Sequence, residues 1–256
     1  MVVGGYDNRV LSLHGVIVGG DNNQIAESAD HNFIGAGRSN THATGSWICV
    51  ISGGQGNQTS GSATYATIAG GLGNVVSKNY GSITGGNSNT VSGEASRAGG
   101  AYSTDRGVSG SDVFAAGRFA ANGDAQVRKV LLRSDTSDDT TEPATSTNAA
   151  ASGINQLLLA DNSSAFVNGT VVVRENSTGD CACFTFRSLA RRGVGAATTV
   201  VVGQNVTQDY ADAGAATWAV AVVADTTNGA VRINVTGEDA HSLRWVVEMK
   251  AVEVVG

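Results

Sequence analysis

Apolar positions in the first half of the chain recur in a fixed frame. A large aliphatic residue is followed after one position by two small residues, and the seventh position is asparagine. Val2, Ile17, Ile34, Ile51, Ile68 and Ile83 open six such units, which reach Asn8, Asn23, Asn40, Asn57, Asn74 and Asn89. Two weaker copies open at Arg97 and Phe114, and the steps between openings are 15, 17, 17, 17, 15, 14 and 17 residues. Units this short cannot hold a helical hairpin. They can hold two short strands and two tight turns, so the frame predicts a β-solenoid whose coils stack at ~4.8 Å. About eight coils of 14–17 residues are expected over 1–120. The leading aliphatic should point inward. A second apolar residue eight positions on (Val10, Ile25, Val76, Val91) should fill the opposite wall. The glycine pair permits positive φ or close chain approach. Asparagines repeated at one position can bond as a ladder.

At "ANGDAQ", residues 121–126, the frame stops, and this stretch is expected to be a joint. Beyond it come apolar and alternating runs at 126–133, 155–160, 169–175, 181–191, 197–203, 217–225, 230–236 and 242–254. No stretch shows helical periodicity. Eight strands in this length predict an antiparallel, jelly-roll-like β-sandwich over 127–256. Asn228-Gly229 between two runs predicts a two-residue hairpin turn, and Asn168-Gly169 a second. Residues 134–153 are expected to form a polar loop. The whole chain is therefore expected to be all-β.

Composition narrows the class. Of 256 residues, 35 are glycine and one is proline, without a three-residue period, which excludes collagen. Charged residues at 15% and apolar residues at 41% exclude a disordered chain. The net charge is −6 and no basic run exists, so no nucleic-acid partner is expected. No apolar stretch approaches the ~20 residues of a membrane span. The opening "MVVGGYDNRV" lacks a basic segment followed by an apolar one, so no secretory signal is expected. Cys49, Cys181 and Cys183 are expected to be reduced, partly buried thiols. Six N-x-S/T triplets are expected to carry no glycan.

The thin core bears on assembly. Each coil offers two or three large inward side chains. Burying one isoleucine returns ~1.5–3 kcal/mol, against ~1–2 kcal/mol for ordering each residue. A lone coil stack is marginal on that arithmetic, so a parallel homotrimer with a shared interior is expected.

The coil frame resembles the repeats of bacteriophage tail fibres and the heads of trimeric autotransporter adhesins. Residues 191–254 resemble a domain that closes many tail-fibre and related virion proteins, above all "ATWAVAVVADTTNGAVRINVTGE" (216–238) and "RWVVEMKAVEV" (244–254). "AAGRFAANGDAQ" (115–126) resembles the transition into that domain. The resemblance implies a homotrimeric virion fibre, made in the host cytoplasm, whose tip attaches to a host surface glycan or outer-membrane receptor. Another baseplate or fibre protein would hold its N-terminus. The alternatives are a polysaccharide depolymerase tailspike and a bacterial trimeric adhesin.

Candidate chemistry is sparse. His14, His31 and His42 fall at irregular coil positions and are expected at the surface or in turns; His241 is expected in a turn. Glu94, Asp105 and Asp112 could supply the carboxylate pair of a glycan-cleaving site. Solvated loop charges are the simpler expectation for them, and the chain is expected not to be an enzyme. Asp135, Asp138, Asp139 and Glu142 offer oxygen ligands suited to calcium, but their spacing fits no calcium motif. No metal or cofactor is expected. Receptor contacts are expected on loops 161–166, 204–215 and 237–242. The candidate residues are Asn162, Phe166, Asp209, Tyr210, Asp239 and His241, with Tyr210 placed to stack on a sugar ring. Trp218 and Trp245 are expected in the core or at a trimer interface.

Overall fold

The computed structural model describes every residue except Ser62. The chain divides into two compact units, Met1–Gln126 and Val127–Gly256. Both are β-structures; among the described residues the helical segments are the 3₁₀ turns Ala196–Thr198 and Ala213–Ala215. Among the described residues no helix is long and apolar enough to cross a membrane.

The first unit is a β-solenoid of about seven turns. Its short strands alternate between two walls: β1 (Arg9–Val10), β2 (Val16–Ile17), β3 (Gln24–Ile25), β4 (Phe33–Ile34), β5 (Thr41–His42), β6 (Val50–Ile51), β7 (Gln58–Thr59), β8 (Thr67–Ile68), β9 (Val75–Val76), β10 (Ser82–Ile83), β11 (Thr90–Val91), β12 (Arg97–Gly100) and β13 (Ser111–Ala115). One wall runs β2-β4-β6-β8-β10-β12-β13 and the other β1-β3-β5-β7-β9-β11, with parallel pairing throughout. Ile17, Ile34, Ile51, Ile68 and Ile83 are fully buried in register, and Ile25, Val76 and Val91 fill the facing wall.

The asparagine column is a hydrogen-bond spine. The Asn57 amide donates to Gly53 O (3.0 Å) in its own coil and Gly71 O (2.9 Å) in the next. Its Oδ1 accepts the Asn74 N–H at 3.0 Å, as Asn40 Oδ1 accepts that of Asn57. The spine runs from Asn8 to Asn89 and ends on Ser103. The second glycine of each pair is required at Gly54. Its φ is +89° and an added Cβ would lie 2.2 Å from Gly71 O. The first position tolerates a side chain, and Ala36 occupies it in the third coil.

Two expectations for this unit, the coil count and the place of His42, are corrected. The eighth copy contributes β13 alone and no strand to the second wall, so about seven turns form rather than eight. Arg97 and Phe114 do not point inward; Phe114 is 57% exposed. Ile83 pairs with Ala98, and Ala98 with Val113, so the buried column runs one position away from those openings. A slip of one residue turns a side chain to the other face. His42 is not a surface residue. It takes the inward position eight residues after Ile34 and is fully buried.

The second unit contains β14 (Ala125–Thr136), β15 (Thr141–Ala144), β16 (Leu157–Leu158), β17 (Ser163–Glu175), β18 (Cys181–Arg192), β19 (Val200–Ala211), β20 (Ala219–Asp225), β21 (Ala230–Thr236) and β22 (Leu243–Val255). One sheet has the order β19-β18-β17-β22-β14. In the other, β21 pairs with β15, β16 and β20. Burial alternates along β17, β18 and β22, broken in β17 at the half-buried Gly169. The buried guanidinium of Arg128 on β14 donates from Nε to Glu253 Oε1 (2.6 Å) and also to the Leu158 carbonyl on β16, in the other sheet. Trp245 is buried, meets Trp218 edge-on at 6.3 Å and donates to Thr136 Oγ1 at 3.0 Å.

The turn and loop expectations change here. Asn168-Gly169 lies inside β17, not in a turn. The ring of Phe186 occupies the space a side chain would need; a Cβ on Gly169 would come 2.4 Å from Phe186 Cζ and 2.1 Å from Glu248 O. Asn228-Gly229 ends a four-residue loop closed by the Asp225–Ala230 pair, with Asp225 Oδ1 accepting the Thr227 and Asn228 N–H groups. The region 134–153 is not all loop, because β14 runs to Thr136 and β15 pairs with β21. All three cysteines are free, with Cys49 buried and Cys181 exposed.

Candidate functional site

The six expected receptor contacts do not form one cluster. Asn162 sits at the start of β17, where its backbone bonds Gly193 O and the Gly256 N–H. His241 lies at the other end, its Nδ1 4.0 Å from Glu175 Oε1. Ser177 Oγ and the Thr178 N–H bond that carboxylate and pull its pKa down to about 2. Thirteen residues of strand separate these two ends, roughly 40 Å. Asp239 is exposed beside His241 in the 237–242 loop. Phe166, Asp209 and Tyr210 are not loop residues: Phe166 is in β17, and Asp209 and Tyr210 are in the edge strand β19. The sequence predicts a strand over 197–203 and a loop over 204–215, whereas β19 runs from Val200 to Ala211 through the polar run "QNVTQDY". Pairing with β18 carries the strand through it.

Four of the acidic candidates, Asp105, Asp112, Asp135 and Asp138, are engaged elsewhere. Asp105 is buried, and its carboxylate accepts the Gly93 (2.7 Å), Ser92 (2.9 Å) and Gly107 (3.0 Å) N–H groups. Asp112 is paired with Arg97. Asp135 lies 3.6 Å from Arg244, and Asp138 caps the Thr140 N–H. Among the described residues no three His, Cys, Asp or Glu groups converge.

The structure does bring together a surface the sequence reading missed. Cross-strand partners share a face, and the outward residues of β18, β17 and β22 form rows. One row is Leu189–Phe166–Val252, the next Arg187–Asn168–Lys250, then Thr185–Thr170–Glu248, and farther on Cys183–Val172–Val246. The first and last of these are apolar; Phe166 is 46% exposed and Val172 54%. Between them lies a polar trough. A depression of about 300 Å³ opens on Asn168, Thr170, Thr185, Arg187, Glu248 and Lys250. A second, of about 220 Å³, continues it to Asn205 and Thr207 on β19. Tyr210, 80% exposed, pairs with Cys183 at the far margin.

Charge is concentrated on this face. Residues 127–256 hold ten Lys/Arg and fourteen Asp/Glu. Seven of those cations are exposed on the outward side of β14, β17, β18 and β22: Lys129 and Arg133, Arg174, Arg187 and Arg191, Arg244 and Lys250. Only Asp135 and Glu248 oppose them there. Glu248 is taken by Lys129 at 2.6 Å and Asp135 by Arg244. Arg187 and Lys250 have no ion-pair partner among the described residues. The signal was present in the alternation of 181–191 and 242–254, where every second residue is polar or charged. Which strands lie side by side was not.

No family model and no curated protein matches the chain. Among solved structures, the structural neighbours are phage tailspike proteins. The tailspike of Acinetobacter baumannii phage AM24 shares 8% identity over 96% of this chain and 54% of its own, with a TM-score of 0.29. Tailspike gp49 of A. baumannii bacteriophage Fri1 shares 10% over 92% and 46%, with a TM-score of 0.26. The Acinetobacter phage vB_ApiP_P1 tailspike shares 9% over 98% and 54%, with a TM-score of 0.23. The chain spans about half the length of these proteins. The Fri1 protein is described as a capsular polysaccharide depolymerase. With a named depolymerase among the structural neighbours, the expectation that the chain is not an enzyme does not stand.

Proposed function

We propose that this chain is a receptor-binding component of a phage tail that engages a host surface polysaccharide. The first unit is the stalk. The second is a β-sandwich knob, its layers the two sheets joined by Arg128 and Trp245. The observation that carries the reading is the outer face of the five-stranded sheet. It is open and wide, opposite in charge to its own unit, and offers amide and hydroxyl side chains between two rows that suit the C–H faces of sugar rings. The stalk assembles as a parallel homotrimer, since Tyr6, Leu13, Leu72 and Tyr80 stand exposed along the coils. Three knobs on one stalk turn weak single contacts, of ~mM affinity, into firm attachment.

The test uses the labelled full-length protein on encapsulated Gram-negative strains, Acinetobacter among them, and their capsule-free derivatives. Staining of some encapsulated strains, lost on the derivatives and after periodate oxidation, is the expected result. Staining indifferent to capsule and periodate, or absent from every strain, overturns the reading. Release of reducing ends in the same incubations would show that the protein cleaves the polymer it binds.

A further inference from the structure

We propose that the trough across β18, β17 and β22 is a site for an acidic polysaccharide, in which Arg187 and Lys250 grip one carboxylate-bearing sugar over Asn168. The inference rests on the polysaccharide-binding reading and adds the ligand class and the residues.

Three observations carry it. Arg187 and Lys250 are both registered against Asn168, one strand away on each side. Two strand spacings put their backbones about 10 Å apart, a span that one sugar ring and its carboxylate fill when both side chains lean inward. Neither cation is used by the fold, whereas Lys129 and Arg244 on the same face are each paired. Asn168 lies between them, and the next row adds Thr185 and Thr170, neutral hydrogen-bonding side chains that match sugar hydroxyls, beside Glu248, whose charge Lys129 offsets. Guanidinium bonds to carboxylate are charge-assisted and bidentate.

Charge also argues against the other occupants. A second copy would set seven cations against seven. A nucleic acid presents a phosphate at nearly every step of its backbone and rewards a dense basic track. Here the two cations of the trough, Arg187 and Lys250, stand on either side of the neutral Asn168.

The experiment measures binding of the full chain to polygalacturonate, hyaluronate and polysialate, with dextran and single-stranded oligo-dT as comparators. The variant is Arg187→Ala/Lys250→Ala. Both side chains are exposed, so circular dichroism melts and light-scattering mass should not change. Expected are binding to at least one acidic polymer, none to dextran, weakening by salt, and a loss of about ten-fold or more in the variant. Equal binding by the variant, equal binding of dextran, tighter binding of oligo-dT, or no binding to any acidic polymer overturns the proposal. So does a change of oligomeric mass in the variant, which would make the face a contact between copies. Cell staining that persists in the variant would sink this site but leave the attachment function standing. Polymer binding by a protein that stains no cell would do the reverse.

Discussion

The Asn57 side chain joins two coils, holding its own turn through Gly53 O and the next coil through Gly71 O and the Asn74 N–H, while its backbone N–H donates to Asn40 Oδ1 in the coil before. Asn57→Ala strands buried backbone groups in two coils, so a loss of about 3 kcal/mol or more is expected in urea unfolding of the first unit. A loss under about 1 kcal/mol would mean that the spine is ornamental. His42 poses a different problem at the same scale. Its Nε2 lies 3.1 Å from Phe33 O, which can only accept, so Nε2 carries the proton and Nδ1 accepts the Thr59 hydroxyl at 2.7 Å. Burial lowers its pKa from 6.5 to about 4, against the weaker opposing effect of the Phe33 bond. The unfolded chain therefore binds the proton more tightly than the folded one. Stability is unaffected above ~pH 7 and falls as pH drops from ~6.5 towards 4, by about 3 kcal/mol in all. Urea midpoints of the wild type and of His42→Val/Thr59→Val, compared from pH 7.5 to 4, should diverge only in acid. Parallel curves would show that the imidazole titrates freely.

At the scale of elements, two Asn-Gly pairs of identical sequence have opposite fates. Asn228-Gly229 sits in a loop; Asn168-Gly169 sits mid-strand, because Phe186 from β18 needs the volume above Gly169. Gly169→Ala should cost about 2 kcal/mol or more, since the nearest clash is with the backbone carbonyl of Glu248, which cannot swing away. Gly53→Ala is the matched control. Its added Cβ would meet nothing nearer than Ala36 O at 3.6 Å, and a change within about 0.5 kcal/mol is expected. Equal melting shifts in the two variants would refute the packing account. Strand existence was legible in this unit from alternation, and β21 occupies the expected 230–236. The long edge strand β19 was not legible past 203, because nearly all of it faces solvent and it carries no pattern of burial.

At the scale of the whole molecule, the first unit leaves Tyr6 and Leu13 at 78% and 70% exposure, which a stalk with two neighbouring copies would cover. Light scattering on the purified chain should give three times 25.8 kDa, and a single chain mass would remove the trimer. The sequence alone determined the solenoid: its period, its inward isoleucines and its asparagine column. It could do so because each coil pairs with a near-copy of itself, so the repeat in the chain is also the pattern of contacts. Where the repeat decays, at Arg97 and Phe114, the glycine frame and the buried column part by one residue, and only packing set the register. In the second unit, alternation told which residues share a face but not which strands are neighbours. Asn168 meets Lys250 from 82 positions away and Arg187 from 19. Tertiary structure alone put those two cations on either side of one amide, because strand order is set by pairing and packing between distant stretches, which no local stretch of chain contains.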